Sequence, residues 1–172
     1  MTAPTKTRVL FLCTHNSCRS QMAEGWLNKL GGERCETNHN GWATCIDAWW
    51  ISKLSEHKFE AESAGMEPTF VHPLAVKAMA EAGVDISSQR SKSMDEFLDQ
   101  PFDYVITLCG SAQKTCPVFP GKYESLHWDI PDPATVEGSD EEKMRAFRAA
   151  RDAIRARVEN LIREIFSRSA CH

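Results

Sequence analysis

The segment Val9 to Ser20, Val-Leu-Phe-Leu-Cys-Thr-His-Asn-Ser-Cys-Arg-Ser, constrains this chain more than any other. Four apolar residues in a row, Val9 to Leu12, suit a short strand covered on both faces, the pattern of a parallel sheet. Cys13 ends the strand. Met22, Ala23, Trp26, Leu27 and Leu30 then recur at helical spacing, with Gly31-Gly32 read as the stop. The polar residues between form a tight loop that enters a helix N-terminus. Such a loop aims backbone N–H groups at one point, and the helix dipole adds positive character there. A tetrahedral oxyanion suits that cradle. A cysteine at its base is favoured as the thiolate, the nucleophilic form. Arg19 offers a planar fork for two anion oxygens. Ser17 and Ser20 can hydrogen-bond the thiolate or order the loop, and Asn16 tolerates the left-handed backbone such a loop needs. Taken alone, Cys13 reads as a small buried hydrophobe at a strand end. The C-x5-R spacing between a strand and a helix makes it a nucleophile candidate.

The 172 residues suit one domain with a sizeable core, residues 1–172 throughout. A net charge of −4 leaves no basic footprint for nucleic acid or an anionic membrane. No apolar run approaches membrane-spanning length, and the N-terminus has no signal-peptide core, so the expectation is a cytoplasmic protein without a membrane partner. Seven cysteines, an odd number, argue against a structural disulfide framework. No C-x2-C pair is present, which argues against a zinc ribbon. Redox or nucleophilic roles for cysteine move up.

Phe59 to Gly65 reads as a second strand, and residues 35–58 before it as an insert. The insert carries Cys35, Cys45, His39, His57 and three tryptophans. Its histidines match no metal-binding spacing. Ile46, Trp49, Trp50 and Leu54 fit one face of a short helix. A satellite cluster against the parent domain is the plain reading of these tryptophans, and a lid or partner-docking surface the functional one. Pro73 to Ala82 reads as a helix with Leu74, Met79 and Ala82 inward, ended by Gly83. Ser93-Met94-Asp95-Glu96 is a capping box for a short helix that carries Phe97 and Leu98 and is ended by Pro101. Phe102 to Leu108 is a third strand and Tyr123 to Trp128 a fourth. Ser139-Asp140-Glu141-Glu142 is a second capping box. It opens a long helix with Met144, Phe147, Ile154, Val158, Leu161, Ile162 and Ile165 on one side. Strands alternating with helices imply right-handed crossovers and a parallel sheet covered on both faces. Ligands then bind at the C-terminal strand edge, where Cys13 and Cys109 both fall.

Cys109 and Cys116 flank a polar, Gly-containing segment of six residues, either a loop or a turn of marginal helix. Its low local stability would let the two cysteines approach each other. Two unrelated buried cysteines remain the other reading.

Cys-x5-Arg-Ser at the first strand–helix junction resembles the low-molecular-weight protein tyrosine phosphatase fold. The longer string Cys-Thr-His-Asn-Ser-Cys-Arg-Ser-Gln-Met-Ala-Glu-Gly-Trp, from Cys13 to Trp26, is more similar to its arsenate reductase branch. Cys13, Cys109 and Cys116 match the pattern of the thioredoxin-coupled members, and His127-Trp128 with Asp132-Pro133-Ala134 resembles their His-Trp-x-x-x-Asp-Pro-Ala segment. The resemblance covers the chain apart from the insert. One departure is His15, which stands where some members have glycine.

The resemblance implies an α/β three-layer sandwich around a four-stranded parallel sheet, with the insert between the first helix and the second strand. It implies arsenate as substrate, bound by Thr14, His15, Asn16, Ser17, Cys18, Arg19 and Ser20. Cys13 is then the nucleophile and Asp132 the general acid. Electrons pass from Cys13 to Cys109 and on to Cys116, and thioredoxin resets the last disulfide. A monomer is expected. No cofactor is required, but the resemblance suggests a monovalent cation, potassium, with Asn16, Glu24, Ser63 and Asp85 matched to its ligands. The residues themselves show only that oxygen ligands are available.

Two rivals stay open. A tyrosine phosphatase needs only Cys13, Arg19 and Asp132. Such relatives usually carry tyrosines just after the Asp-Pro pair, where Ala134 and Thr135 stand here. A non-catalytic thiol sensor or arsenite-binding module would keep the cysteines and have no use for Asp132. The reductant, thioredoxin against glutaredoxin, and roles for Cys35, Cys45 and Cys171 are not legible in the residues.

Overall fold

A computed structural model describes residues 5–32 and 57–169. Most of the insert lies outside them, as do Cys35, Cys45, Cys171 and the expected helix through Ile46, Trp49, Trp50 and Leu54. Among the described residues, four parallel strands form one sheet in the order β2-β1-β3-β4. They are β1 (Thr5–Cys13), β2 (His57–Gly65), β3 (Tyr104–Thr107) and β4 (Glu124–His127). The helices are α1 (Arg19–Gly32), α2 (Pro73–Glu81), α3 (Gly110–Thr115) and α4 (Asp140–Ser169), with 3-10 turns at Met94–Phe97 and Pro133–Thr135.

Val9 to Leu12 are all buried. Successive strand residues point to opposite faces, so burial at both parities means that β1 is covered on both sides. This is the three-layer α/β sandwich expected. The chain leaves β1 for β2 on one side and later returns to β3 on the other. The strand order therefore reverses at β1, and a crevice opens at its C-terminal end. Cys13 sits there, and Leu108, just past β3, donates its N–H to the Leu12 carbonyl at 2.8 Å.

α4 buries the predicted stripe, Met144, Phe147, Ile154, Val158, Leu161, Ile162 and Ile165. It opens on the predicted capping box: Ser139 N–H donates to Glu142 Oε2 at 2.8 Å, and Glu142 N–H donates to Ser139 Oγ at 3.3 Å. Ser93 and Glu96 form the other box, on a 3-10 turn that ends at Phe97. On α2, Ala75, Ala78 and Met79 are buried, whereas Leu74 and Ala82 are only partly so.

One boundary differs from expectation. β2 begins at His57, so the last two residues assigned to the insert pair with Thr5 and Lys6. A polar His-Lys start hides a strand that is held by ladder hydrogen bonds and not by its own apolar pattern. Gly31 and Gly32 are the last two residues of α1, where the stop was expected. A Cβ on Gly31 would stand 2.8 Å from the Phe59 ring, so this glycine serves close helix–strand packing.

Gly65 is the more consequential glycine. It ends β2 opposite Cys13. A Cβ there would meet Asn16 N at 2.7 Å and Thr14 O at 2.8 Å. Both are backbone atoms with no room to yield. Gly65→Ala should therefore destabilise the fold by about 1–3 kcal/mol, the usual overpacking cost. That corresponds to roughly 5 °C in thermal midpoint, measurable by calorimetry; an unchanged midpoint would mean that the loop relaxes freely.

Candidate active site

Residues 14–18 close a loop whose carbonyls are bonded from outside. Thr14 O accepts from Glu67 N at 2.9 Å, His15 O from Thr69 N at 3.2 Å and Ser17 O from His72 N at 2.9 Å. In a trans peptide the N–H points opposite to the C=O. The N–H groups of His15, Asn16 and Cys18 therefore point away from those outer partners. The connection from β2 to α2 thus orients the anion cradle. Asn16 takes the left-handed conformation expected, with φ of 48°.

The buried Asn16 side chain then orders the nucleophile. Its Nδ2 donates to Ser20 Oγ at 2.8 Å, and Ser20 Oγ lies 2.9 Å from Cys13 Sγ. A hydroxyl that accepts from Asn16 is left with its own proton to give, and the sulfur is in reach. Ser20 is thereby placed to donate to Cys13 Sγ. Ser17, the other hydroxyl considered for this role, lies 3.5 Å from Cys18 Sγ instead. Cys18 is not a competing nucleophile: burial pushes its thiol up to about 12, against the smaller pull of Ser17.

Arg19 is buried and tied down. Its Nη1 donates to Ile130 O at 3.0 Å, and its Nη2 to Asp132 Oδ2 at 2.8 Å. Asp132 Oδ1 accepts from Ala134 N at 3.0 Å, capping the 3-10 turn at Pro133–Thr135. The predicted acid therefore meets the predicted anion fork. His127 and Trp128 play a different part. His127 Nδ1 lies 2.9 Å from Thr107 Oγ1, and Trp128 packs on Phe11 with ring centroids 5.7 Å apart. They anchor β4 and so aim the segment that carries Asp132.

Cys109 is the N-cap residue of α3, at the end of β3. Its Sγ lies 3.4 Å from Thr14 Oγ1 and 3.4 Å from Ser111 Oγ, and these two hydroxyls are 2.8 Å apart. Burial is the largest single influence and opposes ionisation. The hydrogen bonds of Ser111 and Thr14, the Ala112 N–H and the Arg19 charge together outweigh it and hold the thiol below its ordinary value. Cys116 differs: half-buried with no such donors, it is pushed up by burial. Sequence reasoning missed Ser111, although a hydroxyl two residues beyond a cysteine at a helix start was a usable signal. It assigned Thr14 to the oxyanion only.

Of the oxygen-bearing set proposed for potassium, Ser63 and Glu24 are hydrogen-bonded to each other, Asn16 is joined to Glu24 through Lys92, and Asp85 lines the same cavity as Glu24. Ser63 Oγ donates to Glu24 Oε2. Asp85 is at the surface, where its Oδ1 accepts from Ser87 N at 2.8 Å. Lys92, which sequence reasoning overlooked, reaches Glu24 instead, with Nζ 3.2 Å from Oε2.

The low-molecular-weight phosphotyrosine protein phosphatase family matches residues 51–170. An arsenate reductase of Halalkalibacterium halodurans is 45% identical over 154 residues, 90% of this chain and 94% of that protein. A solved arsenate reductase in an oxidized state superposes with a TM-score of 0.68 at 31% identity, covering 92% of this chain and 98% of the other. A thioredoxin-dependent arsenate reductase of Corynebacterium glutamicum superposes at 0.62 with 29% identity, covering 95% of this chain and 64% of its own. With its anion loop, Arg19–Asp132 pair and these relatives, the chain belongs to the low-molecular-weight phosphotyrosine protein phosphatase family, in its arsenate reductase branch.

Proposed function

We propose that the protein reduces arsenate to arsenite through a relay of Cys13, Cys109 and Cys116, and that thioredoxin reduces the final disulfide. One observation carries this reading: a second thiol, Cys109, lies against Thr14 of the anion loop and is held below its ordinary pKa. A phosphatase has no use for that arrangement.

The steps follow from the positions of the groups. Arsenate enters the cradle of inward N–H groups and takes the Nη2 donor of Arg19 from Asp132. The Asp132 carboxyl is then available to carry a proton. Cys13 attacks arsenic, Asp132 protonates the departing oxygen, and water leaves. Cys109 attacks the Cys13 sulfur. The sulfur–arsenic bond breaks with its electron pair staying on arsenic, so arsenate becomes arsenite and a Cys13–Cys109 disulfide forms. Two thiols supply the two electrons, so the count closes. Cys116 then attacks Cys109 and frees Cys13.

The last exchange requires α3 to open. Cys109 and Cys116 bracket the six residues of this helix. Seven steps of 1.5 Å put their Cα atoms about 10 Å apart, beyond the roughly 7 Å reach of a disulfide. A six-residue helix with exposed Ser111, Gln113, Lys114 and Thr115 is marginal alone, so it can unwind. Unwinding brings the new disulfide outward, where a reductant can take it. The relative from Corynebacterium glutamicum, described as thioredoxin-dependent, supports thioredoxin for that role.

The direct test is arsenate-dependent NADPH oxidation with thioredoxin and its reductase, run beside glutaredoxin with glutathione and beside hydrolysis of an aryl phosphate. Turnover with thioredoxin is expected. Aryl phosphate hydrolysis without arsenate turnover would make the protein a phosphatase, and arsenite binding alone a sensor.

Three variants separate the steps. Cys13→Ser should abolish turnover, since a hydroxyl at this position lacks the thiolate. Cys116→Ser should release a single equivalent of arsenite and stall as a Cys13–Cys109 disulfide, seen by peptide mass mapping; normal cycling would overturn the relay order. Ser111→Ala removes one of the bonds that lower the Cys109 thiol. Attack requires its thiolate, so a raised pKa costs rate at neutral pH and less at alkaline pH. The fall should be about tenfold or less near pH 7, because a hydrogen bond to a charged group is worth about 1.5 kcal/mol or somewhat more and one pKa unit is about 1.4 kcal/mol. A pH profile that keeps its shape would sink this role.

A further inference from the structure

We propose that the Lys92 ammonium is a built-in replacement for the monovalent cation at the base of the anion loop, making the loop independent of potassium. The observation is a buried ion cluster that the relay does not use. Lys92 Nζ lies 3.2 and 3.4 Å from the two Glu24 oxygens and 2.6 Å from Glu62 Oε2. Lys92 and Glu24 are each only 7% exposed, so neither charge is left to solvent.

Three of the four expected cation ligands are already committed, and the fourth, Asp85, holds Ser87 N at the surface end of the cavity that Glu24 lines. Asn16 Oδ1 accepts from Gln21 Nε2 at 2.9 Å and from Lys92 N at 2.7 Å. Ser63 spends its hydroxyl proton on Glu24. Glu24 carries the ammonium. A potassium ion would need these oxygens turned towards it, and it would meet a resident positive charge at contact distance. The donor set present therefore suits Lys92 and does not suit potassium.

Lys92 is also joined to the loop through its backbone. Its N–H holds Asn16, and its carbonyl accepts from Gly65 N at 2.9 Å. Asn16 in turn orders Ser20 beside Cys13. Removing the ammonium leaves the buried Glu24 carboxylate without its cation partner, a place that an outside cation can take. It also frees the segment whose backbone N–H holds Asn16, and so loosens the cradle. Lys92 is thus a positioning residue that acts through Glu24 and Asn16.

The experiment reads oxyanion binding, not reduction, so it stands apart from the relay. Inorganic phosphate is titrated by calorimetry into the intact protein in potassium, sodium and choline chloride at equal ionic strength, with the thermal midpoint measured in each. The natural protein should bind phosphate with the same affinity, within twofold, in all three salts. Lys92→Met should bind about tenfold more weakly in choline chloride and recover most of that loss in potassium chloride. A severalfold gain by the natural protein in potassium would overturn the proposal, and that measurement needs no variant. An affinity loss in Lys92→Met that no salt restores would reduce Lys92 to a strut and overturn its charge role. Failure of arsenate turnover with every thiol donor would overturn the proposed function and leave this result standing.

Discussion

The structure depends on one constraint: peptide groups of the loop after β1 must all point their N–H ends inward. A peptide cannot offer its N–H to an anion and also keep its carbonyl there. The carbonyls of Thr14, His15 and Ser17 are held from outside by N–H groups of residues 67, 69 and 72. The connection from β2 to α2 therefore shapes the candidate site from outside. The same need explains Gly65, which lets the end of β2 press against the loop, and the left-handed Asn16. The positive field so built, with the helix start and Arg19, suits both a thiolate and an oxyanion.

Two thiols lie at one crevice. Cys13 has Ser20 and the loop around it. Cys109 sits across the crevice just past the neighbouring strand, where hydroxyls of Thr14 and Ser111, the Ala112 N–H and the charge of Arg19 outweigh its burial. Burial pushes up the thiols of Cys18 and Cys116. β1 and the inward face of α4 are packed in the core, while the short helix α3 buries only Ala112.

A buried ion cluster supports the loop from behind. Isolated buried charges are costly, so Glu24 and Lys92 persist only as partners. The backbone of the same lysine holds Asn16, which reaches Ser20 beside Cys13. Arg19 and Asp132 meet in front, held by the Ile130 carbonyl and a helix-capping bond.

The sequence by itself determined the strand-loop-helix start, the four strands, the capped helices and the residues Cys13, Arg19, Asp132, Cys109 and Cys116. The strands, the capped helices and the Cys13–Arg19 pair rest on local chemistry, a hydrophobic period, a capping box or a fixed spacing across one loop; the roles expected of Asp132, Cys109 and Cys116 rest on the family resemblance. It misjudged the start of β2, because a polar strand end is defined by its neighbour's hydrogen bonds and not by its own pattern. It placed the helix stop at Gly31-Gly32 but not the packing of Gly31 on Phe59, a contact that is not visible along the chain. It could not find Ser111 or Lys92 in their roles. Lys92 is 68 residues from Glu24 and 76 from Asn16, and nothing in its own neighbourhood marks it as buried. Only the tertiary structure decided which side chains share a desolvated space. There a charge must find its partner, and that requirement joined a distant lysine to the anion loop.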